Sequence, residues 1–439
     1  MLSQVSRMEQ VVQSYVADKQ FMGSILVAKN GRILLNKGYG YANLEWQIPN
    51  SPTTKFRLGS ITKQFTATSI LLLEEQGNLK ITDLIKKHIP DAPSAWSNIT
   101  IFHLLTHTSG IPNYTSFPDF ASITTSRQTP DQQIELFRNK PLDFQPGSSY
   151  EYSNSGYVLL GYLIEIISRQ SYQDFVVNNI FKPLIMNDSG YDAHSAIILQ
   201  RASGYITSPD GLRNDDYLDM SIPYAAGSLY STTQDLYRWE EELFGGKILS
   251  AKSLKKMITP FKADYGLGVI MQPVDGCNTI MHAGGINGFS TMLLYSPEER
   301  LMVIVLANLS GIGFVTGDLA TKLVTIAHGN AVILPSERKE VIIAPEILVN
   351  YVGTYKVTSM NKAYPMPPIN FVITLENGYL MAEGANNLKT QLFPETETKF
   401  FGWIPDVQIE FVGAANDKIS TFVLHQYGEE SIGEKITLK

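Results

Sequence analysis

The sequence predicts an α+β fold followed by a small all-β module, and three observations carry that reading. Strand-like stretches stand near both ends of the first ~330 residues with helical patterns between them, not in the β-α-β alternation of a parallel sheet. A polar stretch, Leu334-Pro335-Ser336-Glu337-Arg338-Lys339-Glu340, then breaks the pattern. Beyond it come short alternating runs, such as Phe371, Ile373 and Leu375 before Asn377-Gly378, then Val407, Ile409 and Phe411, which suit an antiparallel barrel or sandwich. The expected organisation is therefore a domain over 1–335, a linker over 336–345 and a β-domain over 346–439.

The elements follow in chain order. Val5, Met8, Val11, Val12, Tyr15 and Val16 recur at helical spacing and open the chain on an amphipathic helix. Gly23 to Lys29 and Ile33 to Gly38 flank Asn30-Gly31, a dipeptide suited to the positive torsions of a type I′ hairpin. A helix pattern runs from Ile61 to Gln76 and stops at Gly77. Further helices are expected over 100–107, 130–139, 154–169, 172–181 and 233–244. Strands return over 278–283, 289–295 and 301–308, the last pair joined by a turn at Ser296-Pro297-Glu298-Glu299, and a helix near 315–329 closes the first domain.

Composition narrows the function. The 439 residues are 44% hydrophobic, so a sizeable core is expected. Lys+Arg 35 against Asp+Glu 42 leaves a formal net charge of -7 with no basic cluster, which lacks the footprint that nucleic acid demands. Cys277 is the single cysteine, so neither an intramolecular disulfide nor a thiolate metal cluster is available. The longest apolar run, Leu301 to Ala307, is of strand length and falls short of a membrane span. The first helix lacks the continuous apolar core of an export signal, and compartment stays open at this point.

The sharpest motif is Phe56-Arg57-Leu58-Gly59-Ser60-Ile61-Thr62-Lys63. Three positions along a helix is one face, so Lys63 falls beside Ser60, and the helix N-terminus favours the negative charge that develops when a serine attacks a carbonyl. An ordinary N-cap serine reads the same way. A second element is Tyr152-Ser153-Asn154, delivered by the turn Gln145-Pro146-Gly147 and anchored by a helix. Cations can lower a tyrosine's pKa into the range of a general base, and an asparagine amide can hold a substrate carbonyl; a buried tyrosine with Asn154 as helix cap is the plain alternative. The third is Met281-His282-Ala283-Gly284-Gly285-Ile286-Asn287-Gly288-Phe289, where glycines let a ligand approach closely and a free amide can complete an oxyanion hole. Without a ligand it is a glycine-rich turn with a surface histidine.

Taken together in this order, S-x-x-K, Y-x-N and H-x-G resemble the serine β-lactamase and penicillin-binding-protein-like family, in its class C β-lactamase, D-aminopeptidase and esterase branch (peptidase family S12). Leu104-Leu105-Thr106-His107-Thr108-Ser109-Gly110, Ala226-Gly227 and Tyr265-Gly266-Leu267-Gly268 look like further phrases of the family. The resemblance covers about residues 5 to 330. It implies an antiparallel sheet flanked by helices plus a helical lobe, with the active site in the cleft between. Ser60 would be the acylated nucleophile, Lys63 and Tyr152 the general base and acid, and Asn154 a substrate ligand. The backbone amides of Ser60 and Gly285, beside Gly284, would form the oxyanion hole. His282 stands where class C β-lactamases carry lysine; an unperturbed histidine is mostly neutral at pH 7, which disfavours a substrate carboxylate and with it efficient β-lactam hydrolysis. The resemblance thus implies a serine hydrolase of short peptides or amides, D-residue ones among them, or of small esters, using no metal or cofactor. A weak β-lactamase or a penicillin-binding sensor without turnover is the alternative. It further implies an extracytoplasmic location, with a cytoplasmic one as the other choice.

Residues from Tyr351-Val352-Gly353-Thr354-Tyr355 onward look like the lipocalin-like barrel appended to some peptidases of this family. The resemblance implies restricted access or a homo-oligomer assembled through the barrel, against a merely stabilising module. Tyr114, Phe117, Tyr224 and Tyr230 are candidates for cleft walls or for ordinary packing. Among rival chemistries, His103 and His107 at i and i+4 could face one metal, but the H-E-x-x-H glutamate and a third ligand are missing. No G-x-S-x-G elbow marks an α/β-hydrolase. Glu240, Glu241 and Glu242 read as a solvated helix face, not a glycosidase pair.

Overall fold

The computed structural model describes residues 3–208, 210–311, 315–359, 368–384, 389–402, 406–412, 420–426 and 429–436. Two compact units pack separately: Met1–Met8 with Tyr15–Thr316, and Glu9–Ser14 with Gly317–Lys439.

In the first unit an antiparallel sheet runs in the spatial order Ile270–Val274, Cys277–Ile286, Phe289–Ser296, Leu301–Ala307, Gly23–Lys29, Arg32–Tyr39. The strands at the two ends of the unit therefore meet at its centre, where every residue of Leu301–Ala307 is buried. Asn30 and Gly31 both take positive φ (53° and 75°), so the hairpin expected from the dipeptide is the one formed. Helix Thr233–Phe244 lies on the two central strands with Leu236, Trp239, Glu240 and Leu243 buried. Glu240 thus corrects the expectation of a solvated acidic face: it turns toward the sheet, and burial holds its carboxyl well above the usual range. The helical part centres on Asn154–Ser168, which packs against Thr62–Glu75, Ile101–Leu105, Pro130–Arg138 and Tyr224–Gly227. The helix expected over 172–181 is α-helical only to Val176 and continues as a π-helical turn, Val177–Phe181. Among the described residues no helix is long and apolar enough to cross a membrane.

The second unit holds a closed eight-stranded antiparallel barrel, from Gly353–Ser359 to Glu429–Lys435, those two strands pairing to close it. It resembles the lipocalin-like domain. Its buried cluster includes Tyr355, Leu392, Phe400, Phe411 and Phe422, so bulky side chains fill the space that a larger barrel would leave to a ligand. The stretch expected as a linker is bound to it: the Arg338 guanidinium pairs with Asp406 at 2.7 Å, and Val341 N–H donates to Pro394 O at 2.9 Å. Asp406 also takes Lys322, at 2.7 Å.

Candidate active site

Ser60 sits where the short strand Phe56–Arg57 turns through Gly59–Ile61 into helix Thr62–Glu75. That helix is apolar or small on nearly every side and is buried almost throughout, so it passes through the core and fixes its first turn rigidly. The strand before it is anchored by charge: Arg57 pairs with the fully buried Asp192 at 2.7 Å, and Asp192 also accepts from Arg201 at 2.6 Å. Ser60 makes no capping bond. One turn on, the Lys63 amine lies 3.0 Å from Ser60 Oγ, 2.8 Å from Asn154 Oδ1 and 2.9 Å from the Ala226 carbonyl. Lys63 has no exposed surface, and this desolvation holds its pKa well below the ordinary lysine value.

Asn154 is the first residue of its helix, not the cap. Its side chain accepts from Lys63 and donates to Thr115 Oγ1 at 3.2 Å, while its backbone N–H donates to Asn113 Oδ1 at 3.0 Å. Tyr152, two residues earlier, places its ring centroid 4.8 Å from the Lys63 amine, so all four residues of the first two motifs converge on one point.

The third motif lies on strand Cys277–Ile286. Strand Ile270–Val274 pairs with it only as far as Met281. Beyond that point its free edge faces the serine turn, with Thr291 of the neighbouring strand donating to Leu58 O at 2.8 Å. Two glycines permit the approach. A Cβ on Gly59, whose φ is 54°, would stand 2.9 Å from Gly285 N, and one on Gly284 would stand 2.0 Å from Leu58 O. The space at Gly284 is therefore taken by the serine turn. At Gly285 a Cβ would meet nothing within 4 Å, which leaves that residue to face the cleft. His282 is fully buried rather than on the surface. Its Nδ1–H donates to Ala283 O at 2.7 Å, so in the neutral ring Nε2 accepts from Tyr265 Oη–H at 3.0 Å. Burial first, and the Lys63 charge second, push its pKa down to about 3. His282 is neutral at any working pH.

A cleft of about 210 Å³ opens at the serine. Gly59, Ser60, Asn154 and Gly285 form its floor and Tyr114, Phe120, Leu218, Ile222 and Ile286 its apolar walls, and among the described residues no charged side chain lines it. Of the aromatic wall candidates Tyr114 is there, while Phe117, Tyr224 and Tyr230 are not. The two-histidine metal reading loses its geometry, because the helix ends at Leu105 and His107, with φ 55°, lies beyond it. His103 instead makes a capping box with Thr100. Thr115 escaped the motif reading, and Ala226 and Tyr265, which stand in two of the family phrases, had no role there: the structure gives the first a carbonyl bond to Lys63 and the second the ring of His282.

A serine hydroxyl held against a desolvated lysine, beside a strand edge that offers free amides, defines a serine acyl hydrolase. The chain belongs to the beta-lactamase family, whose profile (described as Beta-lactamase) matches residues 8–324. It is 31% identical over 448 residues to penicillin-binding protein 4* of Bacillus subtilis (strain 168), covering 94% of each chain. Among solved structures it is similar to the octameric penicillin-binding protein homologue from Pyrococcus abyssi, with 27% identity, a TM-score of 0.68, and 98% and 99% of the two chains covered. It is also similar to a D-stereospecific amidohydrolase from Streptomyces sp., with 26% identity and a TM-score of 0.63 over 74% of this chain and 99% of that one.

Proposed function

We propose that the protein hydrolyses small amides, short peptides or esters with an uncharged, apolar acyl group, through an acyl-enzyme on Ser60. The observation that carries this reading is the Lys63 amine, 3.0 Å from Ser60 Oγ and stripped of solvent. A neutral amine has two N–H donors and one lone pair. Asn154 Oδ1 and the Ala226 carbonyl can only accept, so they take the two donors and leave the lone pair for the Ser60 hydroxyl proton. As Ser60 Oγ bonds to the substrate carbonyl carbon, its proton passes to Lys63, and the developing oxyanion meets the amides of Ser60 and Gly285. Collapse breaks the bond to the leaving amine or alcohol, which takes a proton by way of Tyr152. Water then adds to the acyl-enzyme by the same proton route, releasing the acid and the free serine.

The substrate class follows from charge. The described residues that line the cleft carry no charged side chain, so a substrate carboxylate finds no cation among them to replace its lost hydration. Likeness to the D-stereospecific amidohydrolase supports D-configured acyl residues. Likeness to penicillin-binding protein 4* supports a second reading, acylation by penicillins without turnover. The octameric homologue, matched over nearly the whole chain, supports a homo-oligomer, which the solution mass by light scattering tests.

The experiment is intact-mass detection of a fluorophosphonate adduct with peptide mapping, followed by turnover of matched neutral and carboxylate-bearing amides and esters. One adduct on Ser60 and faster turnover of the neutral partners are expected. An adduct elsewhere, or wild-type turnover in Ser60→Ala, refutes the mechanism; acylation that stalls after one equivalent selects the sensor reading. Lys63→Ala and Tyr152→Phe should each lower kcat by at least ~100-fold, the scale of general base catalysis, and an unchanged kcat removes that residue from its role.

A further inference from the structure

We propose that His107 is a positioning residue for Tyr152, clamping the chain on both sides of that tyrosine. The inference rests on the reading that Tyr152 carries a proton in the reaction. His107 sits two residues past the end of helix Ile101–Leu105 with φ 55°, a left-handed conformation uncommon for a residue with a side chain. Its carbonyl accepts the N–H of Glu151 at 3.0 Å and its Nδ1 accepts the N–H of Ser153 at 3.1 Å. The amides before and after Tyr152 thus end on one residue. The imidazole also lies against the Tyr152 ring, with centroids 4.2 Å apart and 36° between the planes.

The surroundings hold the clamp in one state. Tyr157 lies at 5.1 Å and Tyr265 at 4.7 Å from the imidazole, centroid to centroid, and the residue is only 2% exposed. Because Nδ1 accepts, the proton of the neutral ring is on Nε2, which finds no polar partner among the described residues. Burial first, then Lys63 and His282, hold this imidazole well below its usual pKa. It stays an acceptor for Ser153, where a protonated ring would set donor against donor. A histidine serving only to fill space would have no need of this tautomer or of the strained backbone. His107 does not reach Ser60 in this arrangement; it acts through Tyr152, whose ring faces the Lys63 amine.

The test is a double-mutant cycle on turnover of an activated ester, with His107→Ala, Tyr152→Phe and the pair, each checked for folding by its thermal melt. Loss of the clamp should lower kcat by ~10–100-fold, the cost of a misplaced catalytic group, with KM changed by less than ~3-fold. With the tyrosine hydroxyl already gone, His107→Ala should cost less than ~3-fold, because there is nothing left to aim. His107→Asn, which tolerates the left-handed backbone and offers an amide oxygen to Ser153, should recover part of the loss. If His107→Ala does not fold, the same cycle is run with His107→Asn. Equal losses in both backgrounds, or wild-type kcat in a folded His107→Ala, overturn the clamp alone. A Tyr152→Phe enzyme with wild-type kcat overturns the role of Tyr152 and the clamp with it.

Discussion

Replacing Gly59 with alanine tests the geometry of the oxyanion hole with one methyl group. Two costs follow from the structure. Gly59 has φ 54°, and a side chain there pays roughly 1–2 kcal/mol for the left-handed backbone. The new Cβ would also stand 2.9 Å from Gly285 N, 3.0 Å from Gly285 O and 3.1 Å from Gly285 C. All three are backbone atoms of the strand that carries the second oxyanion donor of the proposed mechanism, so no side chain can rotate away. The strand must retreat by a few tenths of an ångström, or the serine turn must tilt. Either movement breaks the fit of one donor to the developing oxyanion, and loss of one such donor costs about 10²–10³ in kcat, or ~2.7–4 kcal/mol. The assay is kcat for an activated ester, with the rate of fluorophosphonate labelling at Ser60 and a thermal melt beside it. A drop in kcat of ~100-fold or more is expected, with Tm lowered by a few degrees, since at ~2.1 cal/mol/K per residue about 1 kcal/mol moves a domain of this size by roughly 1–2 °C. A Gly59→Ala enzyme with wild-type kcat would refute the reasoning, because it would show that the serine turn and strand Cys277–Ile286 are not in register for a shared oxyanion hole.

Gly285→Ala is the counterpart. Its Cβ meets open space, so stability should change by no more than ~0.5 kcal/mol while KM rises for bulky acyl groups; a melt depressed as far as that of Gly59→Ala would contradict the open edge. Acid should destabilise the protein through His282. Its native pKa is about 3 and its unfolded value ~6.5, so between these values the unfolded chain binds more protons, and stability rises with pH. Acidification below pH ~6.5 therefore removes up to ~1.4 kcal/mol per pH unit for this group, and His282→Gln should lessen the fall of urea-derived stability between pH 7 and 5, His107 keeping its own share, whereas identical slopes would refute the assignment. In the barrel, Phe422 is fully buried against Tyr355 and Phe411, and Phe422→Ala should cost ~3–5 kcal/mol in unfolding of that unit, a loss below ~1 kcal/mol excluding a packed interior.

What was legible in the sequence is what local geometry decides. Ser60 and Lys63 can be paired from sequence because three helical positions make one face whatever surrounds them. Asn30-Gly31 and Asn377-Gly378 can be read as turns because their backbone torsions are intrinsic, and all four residues take positive φ. Where contact depends on which strands meet, the sequence is silent. Tyr265 reaches His282 across 17 positions through the folding-back of strand Ile270–Val274, and the Ala226 carbonyl binds Lys63 with an atom that every residue possesses. Gly284 shows a subtler failure. A glycine cluster signals close approach, but not by what, and at this position it is the Leu58 carbonyl. Glu240 is the reverse case: Leu236, Trp239 and Leu243 already place it at the margin of the apolar stripe, a spacing that outweighs its membership of an acidic run.

The histidine in the third motif has a consequence for the whole site. Lys63 is enclosed, and whenever it holds a proton its charge presses on His282 and His107. A lysine at position 282 would bring a second ammonium into the same dry region, where like charges each disfavour the other's proton. Histidine removes that conflict: with a pKa near 3 it stays neutral while, on the proposed mechanism, Lys63 gains and loses the Ser60 proton. The described residues lining the cleft carry no charged side chain, and His282, buried and not one of them, adds no cation behind them. On the proposed mechanism, the residue at position 282 thus bears both on the proton economy of the nucleophile and, through the charge it holds near Lys63, on the acyl group accepted. His282→Lys should accordingly raise the turnover of carboxylate-bearing substrates relative to neutral ones while shifting the pH dependence of Ser60 labelling, and a change in one property without the other would show that the two are separately determined.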